Sequence, residues 1–230
     1  MSHTLSSRFD MNIREARSEF SVRYAGVLFP FRIESLSEAL PHLGFVVGDE
    51  IQARFSARLS VSGAIATKGD LAVQVNSERG YWGLIGHDPE GVTAEFLAVE
   101  DVVEGKLGFP SRQEAMFYET QAQFFLDAAP GKRPIAEIQR HFTELRSLGR
   151  YGSLLGRPVA NWGFHLVPPD ISPNSPNWFE IRVEPEILQP EVVYLVHVVF
   201  RDAKREDVLA LARRGIQLAE EAVKLVEELA

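Results

Sequence analysis

Three patterns follow one another in the stretch Asn177–Ala230: NWFEIRVE (177–184), VVYLVHVVF (192–200) and DVLALARRGIQLAEEAVKLV (207–226). In the first, Phe179, Ile181 and Val183 alternate with Glu180, Arg182 and Glu184, the period of a strand with one apolar and one charged face. The second is almost wholly apolar and rich in β-branched and aromatic residues, which predicts a central strand covered on both faces, interrupted by His197 alone. It is also too short to cross a membrane as a helix, which takes roughly 20 residues. In the third, Val208, Leu211, Ala212, Gly215, Ile216, Ala219, Val223 and Val226 recur at spacings of three and four and predict one long amphipathic helix capped by Asp202. Its apolar stripe must be buried, and the preceding sheet is the nearest surface able to take it; a partner subunit is the alternative.

Upstream, alternation predicts a strand from Phe20 running toward Phe29, where Pro30 ends it, and strands at 51–62 with Arg54 and Arg58 on the polar side, at Leu71–Val75 and at Tyr81–Ile85, an antiparallel meander separated by turns. A short helix is expected at Glu34–Leu40 with Ser35 as its cap. Asp88 and Pro89 read as a helix start for a segment carrying Phe96, Val99 and Val103, with Glu95, Glu100 and Glu104 around them. Ser111 and Glu114 form a capping-box pattern, which predicts a helix carrying Met116, Phe117, Phe124 and Leu126 inward. A further helix is expected at about 134–148. Gly149, Gly152, Gly156 and Pro158 form a connection, and Trp162, Phe164 and Leu166 mark another strand. Strands, helices, strands and a final helix without regular alternation give an α+β fold, with antiparallel sheet covered by helices. Residues 1–12 read as a flexible start and 13–230 as a single domain, open to division into two packed halves at about 13–148 and 149–230.

The chain has 230 residues, 45% of them hydrophobic and 24% charged, as in ordinary globular proteins. A formal net charge of −8 counts against phosphate-backbone binding as the main task, so a nucleic-acid partner is not expected. No cysteine is present, which excludes disulfides, thiolate nucleophiles and cysteine-ligated metal centres. The polar start lacks the apolar core of a signal peptide, and a cytoplasmic location without membrane association is the expectation.

In element order, an antiparallel sheet followed by a long C-terminal helix, the chain resembles helix-grip lipid and small-ligand binding domains, although the helical block at about 89–148 interrupts that order. The resemblance implies a ligand pocket between sheet and helices.

No catalytic or cofactor signature stands out, and no cofactor is expected. The glycines of 149–157 lack phosphate-loop spacing. His141 and Thr143 resemble one element of the two-histidine phosphoesterases, whose chemistry needs a second copy that is absent. His87 and Asp88 lie in a turn after a strand, where catalytic groups often sit, but they also suit a turn and cap. The richest constellation is His165, Glu180, Arg182 and His197. If their strands pair in register, these side chains share a sheet face with Glu184 and could ligate a divalent metal or bind an anion. Arg54 and Arg58, with Arg23, could form a second anion-binding stripe. The expected function is binding, through self-association or a protein partner. A small ligand held between sheet and helices comes second, and a metal-assisted hydrolase on the histidine-bearing face third.

Overall fold

A computed structural model describes residues 12–26, 29–48, 61–142, 156 and 160–228. Of the expected strand at 51–62, residues 51–60, with Arg54 and Arg58, lie outside the described residues, as do residues 1–11, most of the connection at 149–158 and the side chain of His141.

Nine strands among the described residues form one antiparallel sheet: β1 (Ile13–Tyr24), β2 (Val46–Val47), β3 (Ser62–Lys68), β4 (Leu71–Asn76), β5 (Tyr81–Gly86), β6 (Ala115–Asp127), β7 (Phe164–Leu166), β8 (Trp178–Pro185) and β9 (Val193–Asp202). Their spatial order is β2-β3-β4-β5-β1-β6-β9-β8-β7. The helices are α1 (Ile33–Ala39), followed by a 3-10 turn, α2 (Pro89–Gly105), the single turn α3 (Ser111–Glu114), α4 (Pro134–Phe142), α5 (Arg205–Ala212) and α6 (Gly215–Glu228). The fold is α+β, and α6 lies against β9 and β6.

Read outward from the β1–β6 seam, the sheet runs β1-β5-β4-β3 on one side and β6-β9-β8-β7 on the other. The first side carries β2 beyond β3; in chain order it is β1, α1, β2 to β5 and α2, and the other side is β6, α4, β7 to β9, α5 and α6.

One sheet face is apolar and carries the helices. Under α1, α2 and α5, Phe20, Val22, Trp82, Leu84 and Phe96 are buried together. Trp82 stacks on Phe96 with ring centroids 4.6 Å apart. Under α4 and α6, Phe124, Leu126, Tyr194, Val196 and Val223 form a second cluster. Each such side chain contributes about 1.5–3 kcal/mol by leaving water. These side chains fill the space between sheet and helices, and the hollows described below lie elsewhere.

Several local expectations are corrected. Residues 115–127 are a strand, not a helix: Tyr118, Thr120, Ala122, Phe124 and Leu126 are buried on alternate positions, and the pairing offered by β1 and β9 on both sides outweighs the capping-box pattern. Ser111 caps nothing; its hydroxyl lies 2.6 Å from Tyr24 Oη and donates to Glu100. Ser35 is inside α1, whose start has no side-chain cap. The single C-terminal helix is two helices, interrupted at Arg213 and Arg214, so that α5 serves the first cluster and α6 the second. Gly215 opens α6 against Phe124, where a Cβ would meet the ring at 3.2 Å. Asp202 accepts from Lys204 N at 2.8 Å, two residues short of the cap position, which Lys204 occupies. Asp88 does cap α2, its carboxylate accepting from Glu90 N and Gly91 N.

Glu100, expected on the polar side of α2, is fully buried. Tyr118 Oη donates to it at 2.8 Å and Arg205 Nη1 at 2.7 Å, with Arg112 Nε at 3.4 Å. A buried carboxylate is tolerable only with such partners. This one pins α5 to α2 and β6.

Candidate functional site

The sheet face opposite the helices is polar, and no helix of the described residues covers it. Antiparallel register places side chains in rows across this face. One row runs Arg17, Gln123, His197, Arg182 and His165 across β1, β6, β9, β8 and β7. Three residues singled out in the sequence, His165, Arg182 and His197, therefore stand side by side. Glu180 belongs to the next row and joins them: its Oε1 is 2.9 Å from His165 Nε2 and 3.8 Å from His197 Nδ1. Arg182 Nε lies 3.5 Å from Glu184 Oε1.

The electrostatics of this row favour neutral His197. Burial lowers its proton affinity first, and the neighbouring Arg182 guanidinium lowers it further, against the pull of Glu180. His197 Nδ1 and Arg182 Nε are buried without a hydrogen-bond partner among the protein groups. Among the described residues, no group of three or more histidine, aspartate or glutamate side chains is arranged to hold a metal ion.

His197 also lines a hollow of ≈ 140 Å³ with Arg17, Glu19, Gln121 and Gln123. Glu19 and Gln121 continue into a cleft of ≈ 380 Å³ walled by Ser21, Arg23, Arg79, Tyr81, Glu119 and Arg201. The floor is Phe117, with the Arg201 guanidinium 4.3 Å from its ring centroid and that of Arg23 at 5.9 Å. Gly83 lies opposite Ser21 at the β5–β1 pairing, where any Cβ would sit 2.6 Å from Ser21 Cβ and 2.7 Å from the Phe20 carbonyl.

Two glutamates lie diagonally across the seam of this cleft, Glu19 opposite Gln121 and Glu119 opposite Ser21. Glu19 precedes Phe20 on β1 and Glu119 precedes Thr120 on β6, and Phe20 and Thr120 are direct partners. The register thus brings both carboxylates to the same face. Their surroundings differ. Glu119 accepts from Arg201 Nε at 2.7 Å and from Gln121 Nε2 at 2.6 Å. Glu19 is pushed up to about 7, by burial first and by the Glu119 charge second, with Arg17 pulling the other way. An underhydrated carboxylate titrating near neutrality in a cleft marks a functional-site candidate.

Sequence reasoning missed Glu19 and Glu119. A glutamate on the polar side of an alternating strand resembles a solvated residue, and 115–127 was read as helix. The alternation of Glu119, Gln121 and Gln123 with Thr120, Ala122 and Phe124 was the available signal.

The other candidates stand apart from this face. His87 Nδ1 lies 2.8 Å from the Ala16 carbonyl, and both Asp88 oxygens are engaged in capping α2. A broad hollow of ≈ 660 Å³ beside α1, lined by Phe31, His42, Lys106 and Phe109, holds no buried ionisable group. In comparisons with known protein families, curated proteins and solved structures, nothing matches the chain.

Proposed function

We propose that the chain is a binding protein whose small polar ligand lies in the cleft on the helix-free sheet face. The observation that carries this reading is the concentration of buried Glu119 with half-buried Glu19 and Arg201 around two hollows that share Glu19 and Gln121. Removing charged groups from water is costly, and a merely solvated sheet face has no need of it. Ligand sites commonly combine such a concavity with a few convergent polar groups.

Native mass spectrometry of the untreated protein tests the reading, with Gln121→Trp as the comparison. Gln121 lines both hollows, so the indole fills their junction. A bound small molecule on the wild type that is lost from the variant supports the cleft. A molecule retained by a folded variant removes it.

A second reading is self-association along β7. Among the described residues β7 is an edge strand of three residues, and Leu166 is 49% exposed on it, with Val167, Ile171 and Phe179 also exposed nearby. Apolar side chains beside an unpaired strand edge favour pairing with another chain. The same spectra would then show a dimer that Leu166→Lys dissociates.

A further inference from the structure

We propose that the Arg23 end of the sheet-face cleft is an anion subsite in which Arg23, Arg79 and the Tyr81 hydroxyl hold the phosphate of a phosphorylated polyol. This rests on the reading of the cleft as a ligand site.

Three arginines line the cleft, and they are not equivalent. Arg201 is fully engaged: it forms the ion pair with Glu119, and its Nη1 donates to the carbonyls of Pro173 at 2.8 Å and Ser175 at 3.3 Å. Arg23 and Arg79 form no ion pair among the described residues. Arg23 projects from β1 between its register partners Tyr81 on β5 and Phe117 on β6. Arg79 sits in the β4–β5 turn, which is fixed on three sides. Arg79 N donates to Asn76 Oδ1 at 3.0 Å, Gly80 takes the left-handed φ of +59°, and Tyr24 N donates to the Gly80 carbonyl at 2.9 Å. Two uncompensated guanidiniums thus line one end of a cleft in a chain of net charge −8.

Arginine forks donate paired hydrogen bonds to oxyanions. Two forks and a hydroxyl, arriving from separate strands and a turn, suit the three terminal oxygens of a phosphomonoester better than the two of a carboxylate. Beyond them the lining changes to Ser21, Gln121 and Glu19, groups that hydrogen-bond hydroxyls rather than apolar surface. Burial, which raises Glu19 to about 7, lessens its repulsion toward the phosphate.

Calorimetric titration at fixed ionic strength tests the assignment, with inorganic phosphate, glycerol 3-phosphate and glycerol as probes. Both phosphates should bind, the glycerol ester more tightly, and glycerol alone should not. Arg23→Gln and Arg79→Gln should each weaken binding by about tenfold or more, as loss of a charge-assisted hydrogen bond implies, and the double variant should lose it while keeping its urea midpoint. Failure of both phosphates to bind overturns the proposal, as does a double variant that binds like wild type. If a molecule that co-purifies with the protein is lost on Gln121→Trp but is indifferent to both arginine substitutions, the anion subsite falls and the cleft stands. If it is indifferent to Gln121→Trp as well, both fall.

Discussion

Glu19 loses hydration on the helix-free sheet face and lies diagonally across the strand seam from Glu119, with Arg17 as its only opposing charge of note. Its folded-state value of about 7 lies above the 4.5 of an ordinary glutamate. Between those values the folded chain holds a proton that the unfolded chain has released. Stability therefore falls as pH rises through this window and levels off above it. The expected cost at pH 8 is about 2–3 kcal/mol, reduced from the full shift because the carboxyl keeps some contact with water. Glu19→Gln should be more stable than wild type at pH 8, and the difference should shrink at pH 5; urea midpoints at the two pH values measure it. Equal midpoints at pH 8 would show that Glu19 is hydrated in solution. At this scale the sequence displayed the residue but not its environment, since a glutamate in an alternating strand looks the same whether or not a second glutamate sits across the seam.

Helix α5 shows how an element is placed by a buried charge. Val208, Leu209 and Ala212 give it a small apolar face against the first core cluster. Arg205, at its first position, reaches the buried Glu100 of α2. Glu100→Ala would leave the Arg205 and Tyr118 groups without their acceptor inside the protein. A loss of about 3–5 kcal/mol is expected, the range for breaking a buried pair. Hydrogen exchange should show α5 deprotected before α6, because α6 has its own attachment: Glu227 Oε1 accepts from Ala129 N at 3.1 Å, and Lys132 Nζ donates to the Glu227 carbonyl at 2.8 Å. Simultaneous exchange of both helices would count against separate anchoring. The sequence made the terminal helical pattern legible over its whole length but not the break at Arg213 and Arg214. That break is set by the two core clusters, each of which takes one helix. The strand at 115–127 was hidden for a similar reason: its pairing partners lie about a hundred residues upstream and eighty downstream.

Over the whole molecule, two core clusters on one sheet invite the expectation of two independent halves, yet the cores are interwoven. The first cluster draws Tyr118 from β6 and Val208, Leu209 and Ala212 from α5, all from the second half of the chain. The long β1–β6 pairing also belongs to neither half alone. A single cooperative unfolding transition is expected. Trp82 is buried in the first cluster and Trp178 in the other half of the sheet. Single-tryptophan variants retaining one or the other should give coincident urea midpoints. Two separated midpoints would show that the halves unfold independently.

Period-two and period-three-to-four patterns are local, and they determined most strands, the capped start of α2, the apolar stripe of the terminal helices and hence the α+β class. The sequence also named His165, Glu180, Arg182 and His197 as candidates for one face, because alternation fixes which side of its own strand each occupies. Their meeting depended on the order β6-β9-β8-β7 and on its register, which a strand's own residues do not encode. The cleft needed still more: β1 and β6 had to become neighbours for Glu19 and Glu119 to meet diagonally across the seam, and the β4–β5 turn had to dock on Tyr24 to bring in Arg79. Charge and burial at that cleft arise from contacts between residues far apart in the chain, and only the tertiary structure decided them.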